Sequence, residues 1–331
     1  MSNETSLSFH GKTFIEIAAP GCTLFVDPVF STERRGRRVR GDTRPADYVL
    51  VTQEGDDFED VLDVLEDGDA TLVGDERICR SAQRELGLDR NRVLDLAEWE
   101  RASQDDLRLT AVPIFAASMM DDGMSFVDEL AGMSPLPRAL SALPFGRSAR
   151  ALANVPSMLR GEVSRAMRGK AGFGYLFEIS GARILHLAAG IHAGTDERDL
   201  EDIAALGDID VLSVDVGARG VEPFVRAARI FEPRTMLLYR SYDAYGRGRR
   251  AQALPLSAFV EAIREDRGDA VEVLALRAGD KFVLDPAQAS PVATKSASPA
   301  PAATSKPSLA RSPHGKGVAP SGEQPSAPTP H

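Results

Sequence analysis

The segment Ala46–Asp60, ADYVLVTQEGDDFED, places the tightest constraint on what this chain can become. Tyr48, Val49, Leu50 and Val51 form an apolar, β-branched run that ends at Thr52. A short polar turn follows, and Phe58, Val61, Leu62 and Leu65 then recur at helical spacing on one face. A strand therefore hands over to a helix through an exposed polar loop, the arrangement from which α/β folds are assembled.

The same alternation runs through most of the chain. Strands are predicted at 13–17, 22–27, 71–73, 93–96 and 107–112, the last stopping at Pro113. Further strands are predicted at 175–179, 183–187, 210–215, 235–239, 271–276 and 281–284. Helices fit 76–86, 196–206 with Thr195 as its cap, 222–231, and the stretch carrying Leu256, Phe259, Val260 and Ile263. This order predicts parallel or mixed sheet with helices packed outside it. With 331 residues and 43% apolar residues, the chain can bury one large sandwich over residues 1–285.

Two stretches depart from the pattern. Residues 119–172 read as a helical insertion, with Leu159, Val163, Ala166 and Met167 on one face. Between 138 and 170 seven basic residues stand against Glu162 alone, which suits a lid or a surface for an acidic protein or membrane. Residues 286–331 hold ten prolines, ten alanines, eight serines and no aromatic, too little apolar surface to offset ordering, so a disordered tail is expected. The formal net charge of −10 argues against uniform nucleic-acid binding. Cys22 and Cys79 are too few for a disulfide framework and read as buried free thiols. The first residues lack a signal-peptide pattern and no long apolar run occurs, so a cytoplasmic protein is expected.

Read together, Asp27-Pro28-Val29-Phe30, the lead-in Arg44-Pro45-Ala46-Asp47 and the loop after Thr52 resemble the metallo-β-lactamase fold superfamily of metal-dependent hydrolases. The resemblance implies a four-layer αβ/βα sandwich, carrying here the basic helical insertion. In that family the loop reads Thr-His-x-His-x-Asp-His and supplies zinc ligands. Here it reads Thr52-Gln53-Glu54-Gly55-Asp56-Asp57-Phe58. Later motifs are replaced in the same way: Ala116 follows Pro113-Ile114-Phe115, Ala189 follows His186-Leu187-Ala188, and Arg240 follows the strand 235–239 that Glu232-Pro233-Arg234 leads into.

The ligand positions implied by the resemblance are therefore Gln53, Gly55, Asp57, Phe58, Ala116, Ala189 and Arg240. An amide is a poor zinc ligand, Gly and Ala offer none, Phe fills space with carbon, and Arg adds a fixed positive charge. No zinc or other cofactor is expected. Asp57 and His186 remain as candidate catalytic groups, although adjacent acids at a helix start also serve as caps and a strand-end histidine also serves the backbone. Arg240, Tyr239, Tyr242, His186 and Gln53 form the candidate ligand-binding set, because guanidinium groups beside tyrosines suit capture of a phosphate or carboxylate. The expected function is a binding or regulatory protein on a hydrolase scaffold, with an anionic small molecule as ligand. Two alternatives stand beside it: a hydrolase of an ester, lactone or phosphodiester with a rearranged or metal-free site, and a surface-docking protein that uses the basic insertion.

Overall fold

The computed structural model describes residues 4–29, 45–53, 58–104, 107–114, 172–217, 220–241 and 254–284. The basic insertion, the arginine-rich sequence at 34–40 and the C-terminal tail lie outside them.

Two seven-stranded sheets face one another. The first contains β1 (Thr5–Gly11), β2 (Phe14–Ala19), β3 (Cys22–Val26), β4 (Tyr48–Leu50), β5 (Thr71–Gly74), β6 (Val93–Asp95) and β14 (Lys281–Leu284), in the order β14-β1-β2-β3-β4-β5-β6. The second contains β7 (Arg101–Gln104), β8 (Leu107–Ile114), β9 (Gly172–Ile179), β10 (Ala182–Ala188), β11 (Val211–Asp215), β12 (Thr235–Tyr239) and β13 (Glu272–Ala275), in the order β13-β12-β11-β10-β9-β8-β7. Each sheet is half antiparallel hairpins and half parallel strands. Parallel halves need crossovers, and helices supply them.

Helices α1 (Phe58–Asp67) and α2 (Glu76–Leu86) pack on the outer face of the first sheet through Val61, Leu65, Ile78 and Ala82. Helices α3 (Glu197–Ala204), α4 (Glu222–Phe231) and α5 (Leu256–Arg267) cover the second through Leu200, Ile203, Phe224, Ala228, Phe259 and Ile263. Between the sheets Leu7, Ile17, Leu24, Leu50, Leu109, Phe177, Ile184 and Leu237 form the central core. Strand periodicity accounts for this division, since in β12 Leu237 and Tyr239 face the other sheet while Met236 and Leu238 face the helices. The result is the four-layer αβ/βα sandwich that the resemblance implies, with the mixed sheets and outer helices that the alternation of elements predicts.

Local chemistry sets several boundaries. Asp75 caps α2 by accepting from Ile78 N–H at 2.7 Å, and Gly87, in the left-handed region at φ 64°, closes the helix onto Gln83 O. Three expectations need correction. β8 does not stop at Pro113 but runs to Ile114, with Pro113 opposite Phe173. Ala111 N–H points toward the β7 side, so the missing donor of Pro113 falls there too, beyond the end of the β7 ladder at Thr110. The cap of α3 is Asp196, which accepts from Arg198 N–H, whereas Thr195 donates its hydroxyl to Gly190 O. Cys79 is buried as expected, but Cys22 is only half-buried, and the two form no disulfide. Strands β1 and β7 are additions, because TSLSFHG and RASQ carry too few apolar residues to signal a strand. Among the described residues no helix is long and apolar enough to cross a membrane.

Candidate functional site

Strands β3, β4, β10, β11 and β12 all end at one edge of the sandwich. Two contacts join the sheets there: Phe173 N–H donates to Thr52 O at 2.8 Å, and the buried Tyr175 hydroxyl donates to Val51 O at 2.7 Å. Gly172 permits this approach, because a Cβ at that position would stand 1.9 Å from Thr52 O. At Gly174 a Cβ would meet His186 O at 2.7 Å. Two strand ends also turn through the left-handed region without glycine, Asp27 at φ 44° and Ala188 at φ 42°. The register of β10 against β11 slips between His186 and Ala188, a bulge at the strand end.

Carboxylates tie these ends together. Asp27 accepts from Thr52 N–H at 2.7 Å and from the Thr52 hydroxyl. On the other sheet Asp215 accepts from Gly217 N–H at 2.9 Å, Ser241 N–H at 3.2 Å and the Ser241 hydroxyl. Arg240 donates Nε to Gly217 O at 3.0 Å and Nη2 to Leu254 O. Its half-buried guanidinium forms no ion pair with the described residues.

Beneath the edge lies a polar layer between the sheets. His186 is buried, its Nδ1 3.3 Å from Ser213 Oγ and its ring parallel to Tyr239 at 6.2 Å. Burial drives its pKa from 6.5 down to about 3, so the ring is neutral. The Tyr239 phenol is held well above its usual range, first by burial and then by the charges of Asp215 and Asp27. Among the described residues neither His186 Nε2 nor the Tyr239 hydroxyl has a hydrogen-bond partner.

The predicted positions divide accordingly. Gln53, Ala189 and Arg240 stand half-buried at the strand-end edge. Phe58 is half-buried at the start of α1 and packs against the outer core. His186 and Tyr239 are both buried, under the edge rather than on it. Gly55, Asp57, Ala116 and Tyr242 lie outside the described residues. Sequence reasoning missed the Asp27–Thr52 and Asp215–Ser241 ties. The available signal was an acid directly after the apolar runs Leu24–Val26 and Val211–Val214.

A binuclear zinc centre needs several histidine and carboxylate ligands on each ion. Among the described residues no three His, Cys, Asp or Glu side chains converge to hold a metal. An amide, a phenyl ring, a methyl group and a guanidinium occupy the described ligand positions, and these residues do not fit the ion.

No protein-family model matches the chain, and no curated protein sequence matches it. Solved structures do. Igni18, a metallo hydrolase from the hyperthermophilic archaeon Ignicoccus hospitalis KIN4/I, is 11% identical, with 85% of this chain and 99% of that one covered at a TM-score of 0.55. The isothiocyanate hydrolase from Delia radicum gut bacteria is 12% identical, with 85% and 99% covered at 0.53. CmlA, a diiron β-hydroxylase from Streptomyces venezuelae, is 14% identical, with 86% of this chain and 54% of that one covered at 0.54. The likeness is one of fold: the chain shares its sandwich architecture with these proteins.

Proposed function

We propose that this metallo-β-lactamase-fold chain works by binding an anionic small molecule at the strand-end edge and does not perform zinc-dependent hydrolysis. Arg240 is the observation that carries the reading. Two backbone carbonyls, of Gly217 and Leu254, hold its guanidinium still, and no carboxylate among the described residues neutralises it. A guanidinium has five N–H donors, and two of its nitrogens are engaged here, so donors remain for an incoming phosphate or carboxylate. Restraint by the carbonyls lowers the entropy lost on capture. Gln53 stands at the same edge as a neutral partner able to donate and accept.

The test uses the full chain purified without chelator. Elemental analysis should find no stoichiometric zinc. Calorimetric titration with inorganic pyrophosphate, and separately with citrate, should detect binding to one of them, weakened roughly 10- to 100-fold by Arg240→Ala, the loss expected of a charge-assisted hydrogen-bond pair. Stoichiometric zinc together with turnover of a p-nitrophenyl ester, a lactone or a phosphodiester would overturn the proposal in favour of hydrolysis. Unchanged affinity in the Arg240→Ala protein would remove the arginine from it.

A further inference from the structure

We infer that Asp215, Ser241 and Arg240 form a metal-free tie that replaces, at this edge of the second sheet, the cross-link a bound ion would provide. An ion held by ligands from several loops fastens those loops to one another, and binding energy of that kind is folding energy. The edge must be fastened by other means in a chain whose side chains do not fit the ion.

The network meets that need. Asp215 ends β11, and its carboxylate takes three donors: the amides of Gly217 and Ser241 and the Ser241 hydroxyl. The first donor belongs to the loop after β11 and the other two to the residue after Arg240 beyond β12, so one side chain joins two loops. Arg240 works from the opposite charge, gripping Gly217 O and Leu254 O, and Leu254 lies two residues before α5 begins. Gly217 is held from both sides, its amide by a carboxylate and its carbonyl by a guanidinium. Three segments far apart in sequence, at 215–217, 240–241 and 254, thus meet through charged hydrogen bonds that need no ion. Asp215 and Ser241 are themselves buried, at 3% and 8% exposure, so water competes weakly for these bonds. The first sheet repeats the device in simpler form, with Asp27 holding both donors of Thr52. The tie rests on geometry independent of whether Arg240 also captures an anion.

Thermal unfolding of the full chain tests this, read with amide hydrogen exchange. The wild-type Tm should be unchanged by EDTA and by added zinc. Asp215→Asn replaces one acceptor oxygen by a donor; it should lower Tm by about 5 °C or more and speed exchange at Gly217 and Ser241, leaving Thr52 protected as before. Should Asp215→Asn fail to fold, Ser241→Ala removes only the hydroxyl and should give a smaller Tm loss with the same exchange pattern. Arg240→Lys, which keeps the charge but loses the fork, should not restore the Gly217 and Leu254 contacts and should also lower Tm. A fall in Tm of several degrees on EDTA, or a matching rise with zinc, overturns the inference. Unchanged Gly217 and Ser241 exchange in both Asp215→Asn and Ser241→Ala does the same. Failure to bind pyrophosphate or citrate, with these stability results intact, would count only against the proposed ligand.

Discussion

Replacing His186 by phenylalanine should flatten the acid dependence of stability, and the size of the change follows from the buried ring. Its folded-state pKa of about 3 lies far below the 6.5 of an exposed imidazole. As pH falls through 6.5 the unfolded chain gains a proton that the folded chain refuses. Stability therefore declines between pH 6.5 and about 3, and the contribution levels off at more acid pH. Linkage over the interval from pH 7 to 5 gives a loss of roughly 2 kcal/mol from this one residue. His186→Phe keeps a ring against Tyr239 but cannot titrate. It should cost about 1 kcal/mol at neutral pH through the lost Ser213 contact, and its stability should decline by roughly 2 kcal/mol less than that of the wild type on going to pH 5. Urea denaturation of both proteins at pH 7, 6 and 5 provides the comparison, and His186→Gln, which also cannot titrate, serves as a second variant. Parallel stability profiles for all three proteins would refute the reasoning, because they would mean that His186 takes up its proton in the folded state.

Three further outcomes are expected. Gly172→Ala should destabilise by about 3 kcal/mol or more in chemical denaturation, since the new Cβ is placed on Thr52 O and the contact between the two sheets must part. Arg92→Ala should cost about 2 kcal/mol, and Arg92→Lys should recover little of it, because the half-buried fork gathers the carbonyls of Leu65, Gly68 and Ala70 into one clamp between α1 and β5; circular dichroism melts of both variants check this. Tyr239→Phe should leave stability unchanged or raise it by about 1 kcal/mol in the same urea assay, since the hydroxyl it deletes is buried without a partner among the described residues.

The parts of this architecture that local chemistry dictates were legible in the sequence. Tyr48–Leu50 leading through a polar loop to Phe58, Asp75 and Gly87 bracketing α2, and the apolar runs at 211–214 and 235–239 each carry their conformation in neighbouring residues. What escaped depends on partners distant in the chain. β1 is a strand because β2 and β14 flank it, although Thr5, Ser6 and Ser8 give it little apolar character. Gln53, Ala189 and Arg240 each follow closely on a predicted strand, and a strand end is a local fact. The depth of His186 and Tyr239 was not read, because it depends on Phe9 and the whole opposite sheet closing over them. The carbonyls that hold Arg240 come from Gly217 and Leu254, one on either side of it in the chain, and no spacing rule connects them.

Ile114 and Gly172 face each other across a single rung of the β8–β9 ladder. A chain that departs and returns at one rung leaves its host with the boundary conditions of an ordinary hairpin, whatever was spliced between. The entropy of closing such an excursion grows only with the logarithm of its length, so the sandwich is nearly indifferent to how many residues are carried there. That makes this rung a point at which evolution could lengthen, shorten or exchange the sequence between residues 114 and 172 without renegotiating the fold that holds it.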